Sequence, residues 1–144
     1  MSSNVTHIPV ALEECIKLLG PAIINKKNPV LIDATLGLGG HTESALTEFP
    51  NLRVVGIDRD PEALAHSQER LSRFAPRVDF ALAVYDEISE VLANLSIPNA
   101  QGILFDLGVS SMQLDKDERG FTYSRNAPLD MRMNGLTGQT AADV

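Results

Sequence analysis

Three short apolar runs in this chain each end on an aspartate, and that repeated punctuation constrains the fold more than any other feature. Pro29-Val30-Leu31-Ile32 closes on Asp33, Leu52-Arg53-Val54-Val55-Gly56-Ile57 on Asp58, and Gly102-Ile103-Leu104-Phe105 on Asp106. Short runs that stay apolar without strict alternation suit strands buried on both faces, the condition of a parallel sheet. Helical patterns separate them. A glycine-rich stretch at 36–40 precedes a helix from about 41 to 48, and Asp60-Pro61 supplies an N-cap and a first-turn proline for a helix through Leu64, Leu71 and Phe74. Residues 78–82 read as a third, weaker strand, and 87–95 as a helix with Ile88, Val91, Leu92 and Leu95 on one face. Residues 9–19 form an amphipathic helix through Val10, Leu12, Cys15, Ile16, Leu18 and Leu19, with Gly20-Pro21 as its stop. The order (a helix, three strand–helix pairs, a strand) predicts an α/β fold: a doubly wound, Rossmann-like parallel sheet covered on both faces.

After Asp106 the pattern changes. Residues 107–144 are rich in Gly, Ser, Arg, Met and Asp, show no clear period, and finish on what reads as the opening turn of a helix. A stretch of that length inside a compact domain is usually functional or disordered. Four strands are readable where a doubly wound domain normally has five or more. The chain therefore reads as the first four strands of a longer sheet at 1–112, followed at 113–144 by the start of an inserted, helical substrate-recognition region.

In open α/β sheets ligands bind outside the carboxyl ends of the strands. Asp33, Asp58 and Asp106 all fall at such ends, with Gly37, Gly39 and Gly40 after the first. Glycines there let backbone approach a ligand, and the helix that follows offers free N–H groups. Asp58 lies 18 residues beyond Gly40, near the spacing of an acid that holds ribose hydroxyls. The third glycine of the dinucleotide fingerprint is replaced by Thr42. A site for adenosine joined to an amino acid is therefore favoured over a pyrophosphate cradle. A nicotinamide-dependent oxidoreductase and a cofactor-binding fragment without activity remain as competing readings. The net charge of −7 excludes whole-surface binding to nucleic acid. Residues 1–112 carry 8 basic and 14 acidic side chains, whereas 113–134 are balanced, so any polyanion contact is expected towards the C-terminal end.

The motifs become specific when taken in order. His7-x-Pro9-Val10, Asp33-Ala-Thr-Leu-Gly-Leu-Gly-Gly-His41, Gly56-Ile-Asp-Arg-Asp-Pro61 and Asp106-Leu-Gly-Val-Ser-Ser111 are followed by Gln113-Leu-Asp115, Arg119-Gly-Phe121 and Pro128-Leu-Asp-Met-Arg-Met133. Together they resemble the ribosomal small-subunit RNA (cytosine-N4)-methyltransferase family, also called MraW, along the whole chain. The resemblance implies S-adenosyl-L-methionine as cofactor, with Gly39, Gly40 and His41 against its methionine part, Asp58 on its ribose, Tyr85 against its adenine, and Asp106 and Gln113 completing the pocket. It implies small-subunit ribosomal RNA or a ribosomal particle as partner, and methyl transfer to the exocyclic N4 of an unstacked cytidine. Asp106 or a neighbouring backbone carbonyl is the candidate acceptor for the amine, so no catalytic residue is assigned. Met112 stands where many members have Pro, and Leu38 where Arg is frequent. Family members are considerably longer, so the 144 residues alone are expected to show no methyl transfer.

Other features narrow the setting. No run is long and apolar enough for a membrane span, and no secretory or transit pattern is visible at the N-terminus. Cys15, the single cysteine, forbids an internal disulfide, reads as helix packing, and favours a reducing, cytoplasmic compartment. No His/Cys grouping has metal-ligand spacing. His7 reads as orienting the N-terminal segment, His66 as exposed on a helix, and Met131 and Met133 as core or as flanks of a flipped base.

Overall fold

The computed structural model describes residues 9–144, which places His7 outside the described residues. Its centre is a four-stranded, all-parallel sheet: β1 (Val30–Asp33), β2 (Arg53–Asp58), β3 (Val78–Leu82) and β4 (Gly102–Leu104), in the spatial order β3-β2-β1-β4. The chain moves outward from β1 through β2 to β3, then returns to β4 on the other side of β1. Strand order thus reverses beside β1, the place where such sheets open a crevice for ligands.

Side chains of a strand alternate between faces, and here both faces are apolar. Leu31 and Val54 face a layer built from α1 (Leu12–Ile23), α2 (Gly40–Glu48) and α3 (Pro61–Arg70), packing with Ile23, Leu46, Leu64 and Leu71. Val30, Ile32, Val55 and Ile57 face α4 (Ile88–Asn94) through Val91 and Ile97. All four residues of β1 are buried, as expected of a central strand covered on both sides. The doubly wound reading therefore holds.

Several boundaries differ from the sequence expectation, each for a tertiary reason. Gly20-Pro21 does not stop α1, which runs on to Ile23. Gly20 is buried beneath Phe49, and burying Ile23 in the same core outweighs the weak intrinsic helicity of Gly and Pro. The helix also starts later than expected, at Leu12, leaving exposed Val10 before it. Along it Leu18 is exposed, Cys15 is half-buried, and Ile16 and Leu19 pack on the core. The helix expected to continue past Leu71 ends at Arg70 and tightens into a 3-10 segment, Ser72–Arg77, that contains Pro76. The 87–95 helix begins at Ile88, after a 3-10 turn at Tyr85–Glu87, and β4 ends at Leu104, two residues before Asp106.

The last stretch is irregular, as its lack of period suggested, but it is not without structure. A short α5 (Ser111–Asp115) is closed by a capping box in which Ser110 and Gln113 exchange hydrogen bonds. Gly120 follows a 3-10 turn at φ 74°, a left-handed conformation, and a Cβ there would lie 2.5 Å from the Pro128 carbonyl oxygen. The final turn, Ala141–Asp143, is 3-10 and is capped by Thr140. Among the described residues no helix is long and apolar enough to cross a membrane.

Candidate cofactor cleft

Because β1 is central and apolar, the polar residue at its end is carried into the interior. Asp33 is 1% exposed, and its carboxylate accepts the Thr42 hydroxyl at 2.7 Å. Burial pushes its pKa up, partly offset by that hydrogen bond. Asp33 therefore braces the floor of the glycine loop rather than standing on the rim with the other two strand-end acids, a correction to the expected constellation. Thr42, which breaks the dinucleotide fingerprint, is its buried partner.

The loop after β1 is tied to its neighbours by backbone. The Ala34 N–H donates to the Leu104 carbonyl, and the Leu36 N–H to the Ile57 carbonyl, both at 2.9 Å. Gly37 then turns at φ 53° and Gly39 at φ 75°. The Gly37 N–H donates to Asp58 Oδ2 at 2.7 Å, and the Asp60 N–H to Asp58 Oδ1 at 2.9 Å. Desolvation raises the Asp58 pKa against these stabilising bonds. A carboxylate has about four acceptor sites, so half-buried Asp58, bonded to neighbouring backbone N–H groups, keeps acceptor capacity for a ligand.

These elements enclose a cleft of about 660 Å³, within the range of small-molecule sites. Its wall includes Gly40, His41, Asp58, Tyr85, Asp106 and Gln113, so the cleft gathers six of the seven residues expected there. The seventh, Gly39, stands behind the wall, where a Cβ would meet the Leu71 side chain at 3.0 Å. Gly39→Ala should therefore cost roughly 1–3 kcal/mol through its left-handed backbone alone. Thermal unfolding that leaves the midpoint unchanged would contradict this.

Each wall residue is held by identifiable contacts. Gly39 is the N-cap of α2 and no side chain caps that helix, so its first N–H groups and positive dipole end are left beside the cleft. His41 is buried, with Nε2 donating to the Val10 carbonyl at 3.0 Å and Nδ1 lying 3.9 Å from Asp106 Oδ2. The Asp106 N–H donates to the Thr35 hydroxyl at 2.6 Å, while its carboxylate is half exposed. Tyr85 meets Phe105 edge to face, with centroids 5.8 Å apart at 84°, forming an aromatic edge to the cleft. Both ends of the Gln113 amide are used by the protein: Oε1 accepts the Ser110 N–H at 2.9 Å, and Nε2 donates to Asp60 Oδ2 at 3.0 Å.

That last bond leads to two residues of a kind not legible in the sequence. Asp60 reads there as a helix cap, and it is one, accepting the Glu62 N–H at 3.0 Å. Its other oxygen also receives Arg119 at 2.8 Å, and both groups are largely buried. Arg119 reaches Glu62 and the Met133 carbonyl as well, and Lys116 pairs with Glu62. Burial disfavours the Asp60 charge, but hydrogen bonds from Arg119 and Gln113 outweigh it and hold its pKa low. This clamp fastens the 113–134 segment to the start of α3. Arg119 is 59 residues from Asp60, so no local pattern announces the pair; the only hint is the unusual Arg-Gly-Phe run.

A parallel sheet reversing its order beside β1, with a glycine loop and strand-end acid at the crevice, defines a Rossmann-like α/β fold. Solved structures share it. An rRNA methylase from Streptococcus thermophilus superposes with a TM-score of 0.56 at 19% identity, covering 76% of this chain and 61% of that one. The C-terminal domain of precorrin-6Y C5,15-methyltransferase from Rhodobacter capsulatus gives 0.50 at 16% identity, covering 79% and 56%. Within that fold, the chain belongs to the MraW methylase family, whose sequence profile matches residues 4–144. It is 56% identical over 141 residues to the ribosomal RNA small subunit methyltransferase H of a Parafrankia species, and 54% identical over 142 residues to the protein of that name from Streptomyces avermitilis. Those alignments cover 98% and 99% of this chain but 43% and 44% of the relatives, so the chain spans less than half their length.

Proposed function

We propose that the cleft binds S-adenosyl-L-methionine, and that the full-length protein transfers its methyl group to the exocyclic N4 of a cytidine in small-subunit ribosomal RNA. The observation that carries this reading is Asp58, which keeps acceptor capacity at the edge of a glycine-lined cleft, in a chain of the MraW methylase family. The residues fit the cofactor. Asp58 would hold the ribose hydroxyls, the uncapped start of α2 would take the carboxylate of the amino-acid part, and Tyr85 would supply apolar surface for the adenine.

When bound, the cofactor supplies an electrophilic methyl group on a sulfonium. The chain's own part is positioning and charge. The N4 lone pair is delocalised into the cytosine ring, so the base must be held at attack distance. As N4 forms its bond to the methyl carbon and the carbon–sulfur bond breaks, an amine N–H must be donated to an acceptor and its proton lost. The half-exposed carboxylate of Asp106, fixed at its backbone by Thr35, is an acceptor on that side of the cleft, and a carbonyl of the following loop is the alternative. His41, 3.9 Å from Asp106, limits the directions the carboxylate can take. A cytoplasmic setting suits both a ribosomal substrate and a lone, half-buried cysteine.

Calorimetry on the full-length protein tests the cofactor. S-adenosylhomocysteine is expected to bind and NAD not to, because buried Thr42 occupies the third glycine position of a dinucleotide site. NAD binding more tightly than the sulfur cofactor overturns the reading.

A further inference from the structure

A second cavity, of about 510 Å³, lies beside the cofactor cleft and is walled mainly by residues 130–144. The two cavities share Arg59 and Met133. Arg59 directly follows Asp58, and it is exposed. Every other arginine is engaged. Arg53 pairs with Asp79, Arg70 and Arg73 with Glu43, Arg119 with Asp60, Arg125 with Asp117 and Arg132 with Asp130, while Arg77 donates to main-chain carbonyls. The Arg59 side chain alone has no hydrogen bond or ion pair among the described residues. It is thus an uncompensated cation on the ridge between two cavities, in a chain whose net charge of −7 repels polyanions. Inside the second cavity Asp130 neutralises Arg132 at 2.7 Å, so the positive potential falls at the ridge. Asn134, Gln139 and Thr140 supply donors and acceptors, and Met131 and Met133 supply apolar surface.

We propose that the second cavity receives a nucleotide flanking the methylated cytidine, and that Arg59 contacts the phosphodiester joining the two. The inference rests on the function proposed above. A strand that places one base in the cofactor cleft must carry its backbone across the ridge to reach the second cavity, and the anionic link between the nucleosides then passes Arg59. A guanidinium matches two phosphate oxygens at once, and Met133 offers an apolar face to either base. The polar lining reads a base edge without requiring further cations.

The test uses the full-length protein, its Arg59→Ala and Arg59→Lys variants, and a short single-stranded RNA oligomer containing cytidine. Arg59→Ala is expected to weaken RNA binding roughly fivefold at moderate salt and to flatten the dependence of log K on log salt by about 0.7, one phosphate contact. It should raise KM for RNA with kcat retained, and leave S-adenosylhomocysteine affinity unchanged. Arg59→Lys is expected to keep the salt slope. An unchanged slope in Arg59→Ala, with methyl transfer to RNA intact, overturns the phosphate contact alone. A comparable loss of S-adenosylhomocysteine affinity also overturns it, by placing Arg59 in the cofactor site. Wild-type protein that neither binds RNA nor methylates it overturns both this inference and the function beneath it.

Discussion

Replacing Asp58 with alanine in the full-length protein will weaken S-adenosylhomocysteine binding about ten- to a hundredfold, as expected for hydrogen bonds to a charged group worth roughly 1.5–3 kcal/mol. The carboxylate does two things at once. It accepts the Gly37 N–H and so holds the glycine loop in place, and in the proposed complex it would also accept the ribose hydroxyls. Asp58→Asn keeps an oxygen for one of these and is expected to lose less. The pH dependence follows from burial, which raises the Asp58 pKa. Ribose binding needs the carboxylate, so affinity is expected to fall, as pH is lowered, from a higher pH than an ordinary aspartate would give. The effect on folding has the opposite sign. A raised folded-state pKa favours the protonated native protein, so this group's stabilising contribution is complete below the unfolded pKa and is lost as pH rises through the folded one. Wild-type affinity in a folded Asp58→Ala variant would reduce Asp58 to a brace for the loop.

Arg119→Met is expected to give the largest loss of stability, about 3 kcal/mol. Breaking a buried ion pair from one side leaves the other charge stranded, which costs roughly 3–5 kcal/mol, and Asp60 keeps Gln113 and the α3 N–H group as partial compensation. Urea unfolding reads the loss as a lowered midpoint. Asp60 also sets an acid limit. Its folded pKa is depressed, so its contribution is present above the unfolded value of about 4 and is lost as pH falls through the lower folded one. The variant should be less stable at neutral pH and should lack this acid-dependent loss. A change within about 0.5 kcal/mol would mean that the clamp is an ordinary surface contact.

The pattern of legibility follows the range of the forces involved. The strands ending on Asp33 and Asp58 could be read because burial on two faces leaves an unbroken apolar run, and the Asp60-Pro61 helix start could be read because a cap acts over two residues. The stop at Gly20-Pro21 does not hold because the interaction that overrides it, packing against Phe49 just past the end of α2, is far away in sequence. Asp33 and Asp58 look alike in sequence and differ through what packs over each strand end. Both end strands flanked on each side, but Asp33 is sealed in beneath α2 by its bond to Thr42, whereas Asp58 opens to the cleft. The Asp60–Arg119 clamp and the ridge at Arg59 were not legible at all. Both depend on how the aperiodic stretch after Asp106 folds back onto α3, which no local period encodes.

The proposed methyl transfer is to one atom of one kind of base. Full-length protein, tritiated S-adenosylmethionine and small-subunit particles or RNA lacking the modification, followed by digestion to nucleosides, measure it directly. Label is expected in N4-methylcytidine, abolished or strongly reduced by Asp58→Ala. Label in another nucleoside, or none from a protein shown to bind the cofactor, would contradict it.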